Sequence, residues 1–408
     1  MKFSVEPARP EDVPGAIARA YYVAMQPPCG PTFVSVPIDD WTQQTQAIDA
    51  RDISRELGPD AGAMKTLAAA VAASKRPALV VGPAVDRAQA VDLMVRLAEK
   101  AKAAVWVSPF SSRCSFPERH PQFAGFLHAS PAQLSDALRG HDLVVVIGAP
   151  VFTFHVEGHA SIFDGATSIF QITDDPTAAA VSPFGVSIIA TIKPALTMLL
   201  DLLPETKRAV QARRTLPPAP AATNPIVAEF LLHTLSQAMP DDAALVEEAP
   251  SHRPAMQNFM PMRGQDSFYT MASGGLGYSL PASVGMALGR PDRRTVCLVG
   301  DGSAMYSIQA LWTAAQRKLP LTVVVINNAG YGAMRSFSQV MQVRNVPGLD
   351  LPGIDFVRIA QGLGCDAVRV TKSSELAPAL QHGLAHDGVS LIEVAVDSAV
   401  PVLYTQKG

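Results

Sequence analysis

Charge, cysteine and long apolar runs are all scarce in this chain. Asp, Glu, Lys and Arg make up 17% of the 408 residues and leave a formal net charge of −3. No basic stripe is long enough to neutralise a run of phosphates, which argues against a nucleic-acid partner. The four cysteines, Cys29, Cys114, Cys297 and Cys365, lie far apart without a CxxC pair. Neither a zinc site nor a disulfide framework is indicated. No apolar stretch reaches the ~18 to 20 uncharged residues of a membrane helix. Glu6, Glu11 and Asp12 stand where a signal peptide would be basic and then apolar. These absences predict a soluble, cytoplasmic protein with no membrane partner.

What is present is apolar residue, 48% of the total, enough to bury a sizeable core and to exclude a disordered polymer. The length suits two or three domains at roughly 100 to 200 residues each. Residues 1–45 read as one helix, Asp12 to Met25, and one strand, Pro31 to Pro37, which cannot make a core alone. From residue 50 to 204 strands alternate with helices. Ala78 to Val81, Ala104 to Val107, Asp142 to Ile147, Ser168 to Thr173 and Val186 to Ile192 are continuous apolar strands, the kind buried on both faces of a parallel sheet. Asp86 is placed to cap a helix with apolar positions at Val91, Met94, Leu97 and Ala98.

Residues 205–224 are basic, then rich in Pro and Ala, and read as an exposed linker. In residues 225–408 the rhythm restarts, with strands at Ala244 to Glu248, Thr295 to Val299, Leu321 to Asn327, Ala367 to Val370 and Val389 to Val396. Helices are expected around Leu280 to Leu288, Ile308 to Gln316 and Glu375 to His386. The predicted fold is α/β: two doubly wound parallel-sheet domains preceded by a remnant of a third. A nicotinamide-linked dehydrogenase is disfavoured, because Ala78 to Asp86 has no GxGxxG.

Two strands of the last domain end in polar motifs. TVCLV runs into Gly300, Asp301, Gly302 and Ser303, and LTVVVI runs into Asn327, Asn328, Ala329 and Gly330. Ligand crevices of open parallel sheets lie at such strand ends, so Asp301 and Asn328 can stand side by side. Between Gly302 and Asn327 lie 24 residues, enough for one helix and a return strand. A carboxylate, a side-chain amide oxygen and a backbone carbonyl are hard donors suited to Mg²⁺ or Ca²⁺. One Asp cannot neutralise a divalent ion, and a diphosphate would match the remaining charge, facing the amides of Gly302 and Ser303. Either motif alone is compatible with a simple turn; both together point to a metal-diphosphate site.

GDGS, the 24-residue spacer and NN are similar to the signature of thiamine-diphosphate-dependent enzymes. GPTFVSVPIDDW, RCSFPERHPQFAG, GAPVFTFH, ASGGLGYSLPASVG and NVPGLDLPGIDF resemble the benzoylformate decarboxylase branch of that family along nearly the whole chain. The resemblance implies thiamine diphosphate and Mg²⁺ as cofactors and non-oxidative decarboxylation of an aromatic 2-oxo acid. By position it implies Asp301, Asn328 and the main chain of Gly330 as metal ligands, although the branch usually has Thr at the last. It implies Gly274 and the apolar wedge Leu276 at the aminopyrimidine, and Gly302, Ser303, Tyr306 and Ser251 along the diphosphate. Met334 and Phe337 would line the substrate pocket, with packing of a helix face as the competing reading. His155 would be one of two active-site histidines, suited to proton transfer near pH 6.5. His252 stands where the family usually has small hydroxyl residues and reads as a surface residue, which weakens the case for Ser251. His120 reads as structural.

The resemblance further implies that the chain begins near the end of a pyrimidine-binding domain. A glutamate, a first histidine and a serine of the family belong to that region, and Glu6 and Glu11 read as solvated rather than as substitutes. The expectation is a homo-oligomer that turns over poorly by itself, or one that pairs with a separate pyrimidine-domain chain. An acetolactate synthase-like carboligase and a non-catalytic cofactor-binding subunit are the alternatives.

Overall fold

The computed structural model describes every residue except 155–164, 166, 211–213, 400–402 and 404–408. The chain divides into two compact units. One takes Met1–Ala103, Gly140–Thr153 and the run ending at Ala209; the other takes Ala104–Arg139 and the run from Val210 onward.

The first 45 residues contain two strands, not one. β1 (Phe3–Val5) pairs in parallel with β2 (Thr32–Val34), and the helix Val13–Met25 connects them. Three residues are too few to show a period of two, so β1 leaves no alternation to read.

The next sheet holds β3 (Pro77–Val81), β4 (Ala104–Val107), β5 (Phe123–Phe126), β6 (Leu143–Ile147), β7 (Ser168–Thr173) and β8 (Val186–Ile189), in the order β5-β4-β3-β6-β7-β8. β3 and β6 are buried at every position, as expected of strands covered on both faces. Two boundaries differ from the sequence reading. Asp86 is no cap: it is buried inside a short helix, Pro83–Arg87, that Pro83 opens one turn early. Gln89, at φ +52°, separates that helix from Val91–Ala101, whose buried face carries Val91, Met94, Leu97 and Ala98. β8 stops at Ile189, and Ile192 instead opens the helix Ile192–Leu202.

Among its described residues the 205–224 segment has no helix or strand, but it is not free. Arg208 donates to the carbonyls of Val71, Ala72 and Ala101 at 2.6, 3.0 and 2.9 Å.

The last sheet comprises β9 (Ala244–Glu248), β10 (Phe268–Thr270), β11 (Thr295–Gly300), β12 (Leu321–Asn327), β13 (Asp366–Val370) and β14 (Val389–Ala395), all parallel, in the order β10-β9-β11-β12-β14-β13. Strand alternation sends Val296 and Leu298 into one buried cluster and Cys297 and Val299 into another. Each fully buried aliphatic side chain contributes about 1.5–3 kcal/mol. The two layers therefore fix the sheet firmly and leave its carboxyl edge for chemistry. The chain leaves β9 toward β10 on one side, and β11 continues toward β12 on the other. The β9/β11 pair is thus a topological switch point, where a crevice opens beyond the strand ends.

Candidate active site

A cavity of about 390 Å³ lies at that switch point. Its lining comes from the end of β9 (Ala249 to Arg253), the loop after β10 (Met271, Gly274, Leu276), the end of β11 (Gly300 to Ser303) and the loop after β12 (Asn328, Gly330 to Met334). Thr270, Ile326, Phe110 and Ser111 complete it.

The floor is built by register. β11 and β12 pair so that Gly300 stands opposite Ile326, and Asp301, one residue on, and Asn328, two residues on, line the cavity. Asp301 is 3% exposed, and its carboxylate accepts from the Gly302 amide at 2.8 Å and the Gly330 amide at 2.8 Å. Burial raises its pKa, opposed by those two amides and by Arg335. The Gly302 amide is therefore already engaged by its own neighbour, where the sequence reading aimed it at an anion. Asn328 is also 3% exposed, and its Nδ2 has no partner. A buried amide N–H group left unpaired is uncommon and calls for an explanation.

Close approach is what the glycines provide. A Cβ on Gly302 would stand 2.4 Å from the Tyr331 ring, and one on Gly332 would meet Asn328 Nδ2 and Ser251 Oγ at 2.8 Å each. Ala329 holds φ +55°, a left-handed conformation unusual for alanine; its amide is tied to Asn327 Oδ1 at 3.0 Å. The segment NVPGLDLPGIDF clamps this turn: Tyr331 N donates to Leu349 O at 2.9 Å, and Leu351 N donates to Ala329 O at 3.1 Å. Arg335 adds a bond to Ala329 O at 3.0 Å while pairing with Asp350 at 2.7 Å.

The structure brings Asp301, Gly302, Ser303, Asn328, Gly330, Gly274, Leu276, Ser251 and Met334 to one cavity. Tyr306 and Phe337, 57% and 39% exposed, are not among its lining residues. His155 lies outside the described residues.

His252 corrects the sequence reading most clearly. It is no surface residue but 4% exposed, it lines the cavity, and its Nε2 has no partner. Burial holds its pKa down at about 4, so the ring is neutral. The EEAPSHRP stretch was legible as a strand end; the depth at which it sits was not. Tyr331 and Arg253 were missed altogether, and nothing in their local sequence marks them. His120 packs edge-on against Phe116, with ring centroids 5.0 Å apart.

The donor set suits a metal and a diphosphate. Among the described residues no group of three His, Cys, Asp or Glu could hold a metal. A cation here would be held by one carboxylate, one carboxamide and main-chain oxygen, a hard-donor set of the Mg²⁺ type. The unpaired Asn328 Nδ2, a hydrogen-bond donor, and the glycine-lined floor fit the anionic part of such a load.

Two family models match the chain: the thiamine pyrophosphate enzyme central domain over residues 64–199 and the C-terminal TPP binding domain over residues 249–394. The chain belongs to the thiamine pyrophosphate enzymes. Benzoylformate decarboxylase of Pseudomonas aeruginosa is 39% identical over 406 residues, which are 98% of this chain and 77% of that protein. The crystal structure of benzoylformate decarboxylase from Polynucleobacter necessarius superposes with a TM-score of 0.95 at 39% identity, covering 98% of this chain and 77% of that one. The acetolactate synthase isozyme 1 large subunit of Escherichia coli is more distant, 27% identical across 95% of this chain and 71% of its own length. Within the family the chain therefore stands with the benzoylformate decarboxylases, and thiamine diphosphate with Mg²⁺ is the cofactor pair its domains imply.

Proposed function

We propose that this chain decarboxylates an aromatic 2-oxo acid, with benzoylformate as the test substrate and an aryl aldehyde and CO₂ as products. The observation that carries the reading is the pairing of β11 with β12, which sets buried Asp301 and Asn328 on the floor of one cavity. When bound, thiamine diphosphate supplies a thiazolium carbon that can accept the electron pair left behind by departing CO₂. The protein's own residues do the rest. Asp301, the Asn328 side chain and the Gly330 main-chain oxygen hold Mg²⁺, and Ser303 and Ser251 receive the diphosphate. Tyr306 belongs to the outer end of that path. Gly274 and Leu276 shape the aminopyrimidine end.

The cavity wall is largely apolar, with Met271, Ile326 and Met334 among its residues, so it would exclude water from the reacting substrate. Met334 forms the aryl side, and Phe337, three residues on, stands outside the lined cavity. His155 carries a proton to the carbon that loses CO₂. On this reading the protein is a cytoplasmic homo-oligomer, in keeping with its free thiols and with exposed Met305, Tyr306 and Trp312. No helix among the described residues is long and apolar enough to cross a membrane.

The test supplies the full chain with Mg²⁺, thiamine diphosphate and benzoylformate or pyruvate, and follows CO₂ and aldehyde. Benzaldehyde from benzoylformate supports the reading. Acetolactate from pyruvate without benzaldehyde overturns it.

A further inference from the structure

The strand-end ligands explain the cavity floor but not its walls, and the walls lead back to β9. Glu247 and Glu248 end that strand, both fully buried, and neither lines the cavity. Consecutive strand residues point to opposite faces, so each carboxylate serves a different segment. Glu247 turns toward the 249–253 wall. Its Oε1 accepts from the Ala249 amide at 2.6 Å, and its Oε2 meets Thr270 Oγ1 at 3.0 Å and pairs with Arg253. Glu248 turns toward the opposite wall. Its Oε1 accepts from the Gly277 amide at 2.7 Å, and its Oε2 from the Ser279 amide at 2.6 Å.

The two amides held by Glu248 sit at a junction. Gly277 closes the loop that carries Gly274 and Leu276, and Ser279 is the first residue of the helix Ser279–Gly289. An amide in a helix's first turn has no acceptor within the helix, and a carboxylate there also complements the helix dipole. Hydrogen bonds to an ionised acceptor are roughly twice as strong as neutral ones. Gly277 adopts φ +94°, and a Cβ there would stand 3.0 Å from that of Tyr306, so the loop has little room to sit elsewhere.

We infer that Glu248 is a positioning residue: it touches no ligand, but by holding the Gly277 and Ser279 amides it sets the loop of Gly274 and Leu276 and so the aminopyrimidine side of the cavity. This rests on the thiamine diphosphate reading above. Glutamine at 248 keeps the shape but offers one acceptor and one donor, so one of the two amides faces a donor.

The experiment is calorimetry on the full chain with two probes, thiamine diphosphate plus Mg²⁺ and inorganic diphosphate plus Mg²⁺. An unmade buried hydrogen bond of this kind predicts that Glu248→Gln binds thiamine diphosphate about 10-fold more weakly. Inorganic diphosphate, which reaches only the floor, should bind the variant as it binds the wild type. Equal losses for both probes would make Glu248 a general structural residue and overturn the inference, as would no loss for either. Should Glu248→Gln fail to fold, Glu248→Asp keeps the charge, shortens the reach and is read by the same two probes. Failure of both variants to fold also assigns a purely structural role and overturns the inference. Wild-type protein that binds neither probe would bring down the cofactor reading, and the inference with it. Wild-type binding with an unchanged Glu248→Gln brings down the inference alone.

Discussion

Two switch points of the same design end differently in this molecule. In the β3–β8 sheet the chain turns outward in both directions from β3 and β6, just as it does from β9 and β11 in the other. Beyond β3 and β6 the two strand ends touch through main chain at Gly82 and Gly148. A Cβ on Gly82 would stand 2.4 Å from both Gly148 O and Ala149 Cβ, and Gly82 N donates to Ile147 O at 2.9 Å. Beyond β9 and β11 the same place is a cavity floored by Asp301 and Asn328. Glycine closes the first by letting backbones touch, and it opens the second by keeping side chains away from a ligand. Identical topology therefore licenses a site without creating one; the residues after the strand do that.

The open switch point buries His252 with its Nε2 unpartnered, and the largest predicted effect follows from it. His252 titrates near 4 in the folded protein against an ordinary value of 6.5. The unfolded chain takes up its proton first, so the stability is intact above pH 6.5 and lost as pH falls from there to about 4. The loss should approach roughly 3 kcal/mol. Urea unfolding of wild type and His252→Phe between pH 7 and 4 should show the acid slope shrink in the variant; an unchanged slope would place the titration elsewhere.

Next come two alanines that should act oppositely. Gly302→Ala puts a methyl against Tyr331 and should weaken diphosphate binding about 100-fold, or ~2.7 kcal/mol, with little change in melting temperature. Gly82→Ala puts a methyl into backbone and should cost about 2 kcal/mol of stability while leaving cofactor affinity as it was. Calorimetry and thermal unfolding on both variants check the pair, and a swap of the two outcomes would break the comparison. The smallest effect is expected at Arg335, whose partner Asp350 is 82% exposed. Arg335→Ala should weaken Mg²⁺ affinity by less than about 1 kcal/mol, measured by metal titration at fixed cofactor.

The sequence showed the open site more fully than the closed one. GDGS and NN follow long apolar strands, so both the strands and the polar residues at their ends could be read. The short strands β1, β5 and β10 could not, because no extended β-branched or apolar run marks them and their pairing is tertiary. Asp86 looked like a cap because Asp often is one; Pro83, three residues earlier, decided the matter. His252 was misplaced for a similar reason. Its burial depends on how the β9 end packs in three dimensions, and no local pattern encodes that. Glu247 and Glu248 are the sharpest case. Two adjacent acids at a strand end look solvated in one dimension and prove fully buried in three.

The central claim is that the β9/β11 crevice binds a diphosphate through a metal held by Asp301. Calorimetric titration of thiamine diphosphate into the full chain tests it, with and without Mg²⁺, for wild type and Asp301→Ala. Mg²⁺-dependent binding in the wild type that Asp301→Ala abolishes is the predicted result. Equal binding by both proteins, or binding indifferent to Mg²⁺, would contradict it.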